Sequence, residues 1–235
     1  MVRIRLLPSS DLASMLIPTP VIFATQPDGT TIDRDSQGGN PFATALIELS
    51  NRTHRNLGDF AGQLRTLTEF ISGGNQSPTW ENLPAQSHWN MFSPVCDRNE
   101  RRVALVLIVS EYPALEQPSL FGAAWDERRI SALLGQNGFS VEQGVIGGKA
   151  SLVAALRMFS TKAKLRDCAI IYATGHGVEV AGETFLLPSD YPFAEGYSKL
   201  LLRKHALSVS RIRKACSAKG FNMAFFAGCR SRVGE

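Results

Sequence analysis

Apolar and polar positions follow two different periods along this chain, and the switches between them mark its elements. Short apolar runs read as buried strands over residues 20–25, 102–112, 140–146 and 168–173, and again over 222–229. Between them apolar residues recur at helical spacing. Pro41 opens a helix behind Asn40 as its cap, with Phe42, Leu46 and Leu49 on one face. A second helix is expected over 57–72, through Phe60, Leu64, Leu67 and Ile71, and Gly73-Gly74 ends it. Further helices are expected over 125–137, with Trp125, Ile130, Leu133 and Leu134 inward, and over 149–164 and 208–219. Residues 178–187 read as a small hairpin and 76–83 as a short extended piece. Ser10 or Asp11 caps a single expected turn over 12–16. Residues 26–40 are a polar loop dense in turn formers, and 84–100 lack periodicity and read as a linker. Strands alternating with helices predict an α/β fold in which a mainly parallel sheet is sandwiched by helices.

Composition narrows the class. With 235 residues, 44% of them hydrophobic and 20% charged, the chain suits one globular domain. A net charge of +4 is mild and does not imply nucleic acid. Residues 199–219 hold seven Lys or Arg and no acid, which reads as a solvated helical face. No nucleic-acid partner is therefore expected. No apolar run approaches the ~18 residues of a membrane span, and the N-terminus is too short and polar in its apolar run for a signal peptide. No membrane partner is expected either. The four cysteines, Cys96, Cys168, Cys216 and Cys229, show no metal spacing, so neither a metal nor a cofactor is expected. They fit a reducing cytosol, and the expected location is cytoplasmic. Cys168, inside a strand, reads as an inert core thiol. Gly147-Gly-Lys-Ala-Ser151 looks like a phosphate loop, but Gln143 and Ala150 stand where that pattern requires Gly and Ser or Thr.

Two strand ends carry reactive side chains. The run 168–173 leads into Thr174-Gly-His-Gly177, where glycines let the chain turn sharply beside His176. The run 222–227 leads to Cys229, 53 residues later. In open α/β sheets the C-terminal strand ends are where sites form. A cysteine and a histidine at one such edge make a nucleophile with its base.

Tyr-Ala-Thr-Gly-His-Gly over 172–177, then Gly182-Glu-Thr-Phe-Leu-Leu-Pro-Ser-Asp190, then Ala227-Gly-Cys-Arg230, resembles the caspase-like cysteine proteases, nearest to their bacterial caspase-like or metacaspase-like branch. The resemblance implies a three-layer α/β/α fold around a mainly parallel six-stranded sheet. It also implies a cysteine endopeptidase acting on a protein or peptide substrate. Cys229 would be the nucleophile and His176 the base, with backbone N–H groups of Gly177 and Cys229 as oxyanion donors and no acidic third member. The family's usual partners for the P1 side chain are missing. Ala227 stands where metacaspase-like proteins carry an acid, and Leu120 where caspases carry an arginine. Asp28, Asp33 and Asp35 in the loop 26–40 are the remaining candidates for charge in the pocket. Their excess over Arg34 favours a basic P1.

The order of the halves departs from the family. Residues 102–229 resemble the large-subunit half, and little chain follows Cys229. Phe23-Ala-Thr, Asn40-Pro-Phe-Ala-Thr and Gln76-Ser-Pro-Thr-Trp80 resemble the small-subunit half, placed first. The chain therefore reads as circularly permuted, with residues 84–100 as the new joint. The connection that caspase processing cuts would not exist, so activity without internal cleavage is expected, with control left to the termini, a partner or a small-molecule signal. Two alternatives stay open: a catalytically silent caspase-like module that binds a peptide or partner, and a flavodoxin-like nucleotide or signalling domain.

Overall fold

The computed structural model describes residues 19–50, 52, 56–84, 100–117, 119–143 and 147–232. The expected turn over 12–16, all but the ends of the expected linker, and the end of the strand expected over 140–146 lie outside the described residues. The first part of the chain runs β1 (Val21–Phe23), α1 (Pro41–Ser50), α2 (Leu57–Ile71) and β2 (Thr79–Glu81). Next come β3 (Arg102–Ile108), α3 (Phe121–Gln136), β4 (Phe139–Gln143), α4 (Lys149–Ala163) and β5 (Cys168–Thr174). The last part is β6 (Gly177–Val180), β7 (Glu183–Leu186), α5 (Lys199–His205), β8 (Leu207–Ser208), α6 (Val209–Ala215), β9 (Phe221–Phe226) and β10 (Ser231–Arg232).

Six strands form the main sheet in the order β2-β1-β9-β5-β3-β4. Only the edge strand β2 is antiparallel to its neighbour. Strand residues alternate between two cores, as the pleat demands. Val103, Leu105, Leu107, Ile171, Ala173 and Phe226 face α4 and α6. Ala104, Val106, Ile170, Tyr172, Met223 and Phe225 face α1, α2 and α3. Helices thus cover both faces, and the expected three-layer α/β/α architecture is the one observed. Burial on both faces is also why these strands read as unbroken apolar runs rather than alternating ones. A second, four-stranded sheet, β10-β6-β7-β8, stands beside the first. It contains the expected hairpin.

Local signals explain most helix ends. Asn40 accepts the Phe42 N–H at 2.8 Å, capping α1 as expected. Asn56 does the same for α2 through the Asp59 N–H at 2.9 Å. Two helices differ from the reading. α3 begins at Phe121 rather than 125, and its inward face includes fully buried Asp126, while Trp125 is 45% exposed. The helix start is capped from a distant loop, a cause no local window contains. α6 stops at Ala215, because Asn222 then pairs its amide with the N–H and carbonyl of Ala218, at 2.8 and 2.9 Å, and folds the chain into β9. α5 falls within the basic stretch 199–219, read as a solvated helical face, although no helix with these bounds was expected. Ser198 caps it by accepting the Leu201 N–H.

No helix of the described residues is long and apolar enough to cross a membrane.

Candidate active site

β5 and β9 are neighbours in parallel register, with Ala173 opposite Phe226 as the last pair. His176 and Cys229 each stand three residues beyond that pair. The topology therefore delivers both reactive side chains to one edge. The two loops are tied together by the Ala227 N–H to the Ala173 carbonyl at 2.8 Å and by the Thr174 hydroxyl to the Ala227 carbonyl at 3.1 Å. They approach so closely that only glycine fits. A Cβ on Gly177 would stand 2.3 Å from the Cys229 carbonyl oxygen. Gly175 has φ +148°, and its Cβ would meet the Tyr112 hydroxyl at 2.6 Å.

His176 is held by its backbone and one aromatic ring. Its N–H donates to the Tyr112 hydroxyl at 2.7 Å, and its carbonyl accepts the Leu187 N–H at 2.9 Å. Tyr112 in turn donates to the Leu187 carbonyl at 3.1 Å, and its ring centre lies 4.4 Å from the imidazole. Burial lowers the imidazole's pKa from its ordinary value, and the negative Asp33 opposes that only in part. That shift favours the neutral ring, the state a base requires.

Gly177 faces Leu186 across the hairpin. The Leu187-to-His176 bond makes theirs a non-hydrogen-bonded pair, so the Gly177 N–H points away from β7, toward the Cys229 side.

Cys229 is half-buried, and its sulfur is engaged by Thr31 rather than by the imidazole. The Thr31 N–H donates to Sγ at 3.2 Å, and the Thr31 hydroxyl lies 3.3 Å from it. The residue after the cysteine is anchored beneath the site. Arg230 is buried, pairs with buried Glu179 at 2.8 Å, lies 4.1 Å from the Phe23 ring centre, and donates to the Thr79 hydroxyl at 3.2 Å.

A small cavity of about 60 Å³ joins these groups, lined by His176, Cys229, Thr31, Asp33, Leu120 and Ala227 among others. The substrate-side candidates differ in where they stand. Of the three loop acids, only Asp33 lines the cavity. Asp28 pairs with Arg232 at 3.0 Å, and Asp35 accepts the Gln37 N–H at 2.7 Å. Nor is Asp33 simply a free carboxylate. Its two oxygens receive the N–H groups of Gly122 and Ala123, at 3.0 and 3.2 Å, which caps α3. The positive end of the helix attracts the acid there.

The loop 26–40 is built into the core. Buried Gln76 accepts the Ile32 N–H at 2.8 Å, and Asn40 donates its amide to the Ile32 carbonyl at 2.7 Å. The Asn40 N–H reaches the carboxylate of Asp126 at 3.0 Å. Burial raises that carboxyl's pKa to about 7, against the opposing Asn40 bond and Arg129. Tyr112 and Thr31 were not singled out from sequence, and Gln76 entered only as part of the Gln76-Ser-Pro-Thr-Trp80 resemblance. Each acts through a partner far away in the chain, so no spacing betrays it.

The other candidates among the described residues are engaged elsewhere, and Cys96 lies outside them. Cys168 is buried, donates to Glu100 at 2.9 Å, and has its pKa pushed up to about 12, mainly by burial. Cys216 is buried and also raised by burial. At the phosphate-loop look-alike, Asp190 already occupies the α4 N-terminus, accepting the Lys149 N–H at 2.9 Å. A Cβ on Gly148 would meet its carboxylate at 2.3 Å. Among the described residues no cluster of three His, Cys, Asp or Glu side chains could hold a metal ion.

The caspase domain family matches residues 101–233. No curated protein matches the chain.

Proposed function

The chain belongs to the caspase domain family of cysteine peptidases, and from that premise we propose that it is an endopeptidase working through Cys229 and His176. The observation that carries the proposal is that both side chains line one cavity at the C-terminal edge of adjacent parallel strands. Neutral His176 takes the thiol proton, and the thiolate attacks the peptide carbonyl. The Gly177 and Cys229 N–H groups receive the developing oxyanion. The imidazolium then gives its proton to the leaving amine. A water, deprotonated by the same imidazole, hydrolyses the thioester and restores the thiol.

We read P1 as basic. Asp33 supports this, since a carboxylate that accepts two backbone N–H groups keeps lone pairs for a cation at the cavity wall. The substrate would be a protein or peptide. We also read the chain as circularly permuted. In support, β1 and β2, which come first in the chain, lie beyond the cysteine strand β9 in the sheet. Internal cleavage would be unnecessary, because the loop 26–40 is already bonded around Cys229 in the uncut chain. The Arg230 N–H donates to the Gly29 carbonyl at 2.9 Å, and the Asp28 N–H to the Arg230 carbonyl at 3.1 Å.

The second reading is a silent peptide-binding module. It draws on one observation, the sulfur bonded to Thr31 rather than to the imidazole. A peptide with a thiol-reactive warhead separates the two. The uncut chain, followed by intact mass, should be labelled at Cys229 and should cleave the matching peptide. Cys229→Ala and His176→Ala should each abolish cleavage without changing the fold. Near-normal turnover in either variant would overturn the dyad, and activity that appears only after internal proteolysis would overturn the uncut mechanism. Peptide binding without labelling or turnover would select the silent module.

A further inference from the structure

We infer that Thr31 is a third catalytic residue, whose N–H and hydroxyl hold the Cys229 sulfur as its thiolate. The inference rests on the dyad reading above. Thr31 comes from the loop between β1 and α1, far from Cys229 in sequence, yet its N–H donates to Sγ at 3.2 Å and its hydroxyl, a donor once the sulfur is a thiolate, lies 3.3 Å from it.

The contact is over-determined by the chain on either side. Before Thr31, Asp28 and Gly29 exchange backbone hydrogen bonds with Arg230, the residue that follows the nucleophile. After it, the Ile32 N–H is held by Gln76 and the Ile32 carbonyl by Asn40. Asp33 is then fixed to the start of α3. The Thr31 N–H cannot turn from the sulfur without breaking these bonds. Its direction is set before any substrate arrives.

Such donors discriminate between the forms of the sulfur. A neutral thiol is a weak acceptor, and a thiolate accepts charge-assisted hydrogen bonds roughly twice as strong as neutral ones. When His176 takes the proton, the charge left on sulfur meets two donors already in place. When the S–C bond forms, the thioester sulfur carries no charge and the donors lose most of their hold. When that bond breaks in deacylation, the electron pair returns to sulfur and the hold is regained. Thr31 therefore serves the sulfur both as nucleophile and as leaving group. Gly177 and Cys229 N–H serve the carbonyl oxygen, a different atom.

The test is alkylation of Cys229 by iodoacetamide, read by peptide mapping over a pH 5–10 series. It needs no peptide turnover, so it stands or fails separately from the proposed activity. Thr31→Val removes the hydroxyl and keeps the volume; Thr31→Ser keeps the donor. At the acid end Thr31→Val should react about threefold more slowly, a roughly tenfold loss of thiolate being partly offset by greater intrinsic nucleophilicity. At the alkaline end it should react as fast or faster, and Thr31→Ser should follow the parent throughout. Equal rates at every pH would overturn the assignment. So would a slowing that is the same at every pH, which is the mark of altered access. Should Thr31→Val fail to fold, Thr31→Ala carries the same expectation.

Discussion

Two regions meet at the cavity, and they are built on opposite principles. The His176 and Cys229 loops are joined largely by backbone groups, with glycines where the chains touch. The loop 26–40 is joined to its surroundings largely by side chains, from α3, from Gln76 and from Asn40. A backbone-built junction admits almost no substitution at its glycines but is indifferent to most side chains nearby. A side-chain-built junction can be loosened one contact at a time. On the proposed reading, the chemistry belongs to the first and its selectivity to the second.

The sharpest way to break the first region is Gly177→Ala. The added carbon would collide with the Cys229 carbonyl, and the loops must part by something near an ångström. Misplacement of that size costs about 100-fold in kcat/KM, measured against any peptide the parent cleaves. Unchanged kinetics would mean that the junction is softer than its geometry. A comparably large effect, read in stability rather than in rate, belongs to Glu179→Ala, which leaves the Arg230 guanidinium buried without its partner. Breaking a buried pair on one side costs about 3–5 kcal/mol, read as a lower denaturation midpoint. A loss below about 1 kcal/mol, the surface-pair range, would show that water reaches the site. The smallest effect belongs to the second region. Asp33→Ala should lower the ratio of cleavage after Arg to cleavage after Leu by about two- to fivefold, the range of a part-exposed ion pair. The ratio is the proper readout, because the same change uncaps α3 and costs about 1 kcal/mol of stability. An unchanged ratio, or a preference for P1 Asp, ends the basic-P1 reading.

The same contrast sets what could be read from the sequence. The strands were legible because residues buried on both sheet faces leave continuous apolar runs. His176 and Cys229 were legible because parallel neighbours bring equal offsets past the last pair to one edge. What escaped notice acts across the chain. Tyr112 supports His176 from 64 residues away, and Thr31 reaches Cys229 across 198. Asp33 was read only as a candidate pocket charge and not as a cap, because the helix it caps begins 88 residues later. Trp125 looked like a core residue because helical spacing alone cannot tell an inward tryptophan from one that spans a loop. Its indole N–H goes to the Gln37 carbonyl at 3.1 Å, and Asp126 turns inward in its place.

Asp190, at the start of α4, has a consequence of a different kind. It is an anion on a tether, three residues past the Leu187 amide that holds His176. A tethered group competes at an effective concentration on the order of millimolar. A free phosphate or nucleotide would have to displace it from the helix end against that local excess. The chain thereby fills its own anion seat. The Gly-Gly-Lys run that a phosphate-loop pattern would flag works instead as an internal clasp, fixing the chain that leaves the histidine hairpin to the start of α4.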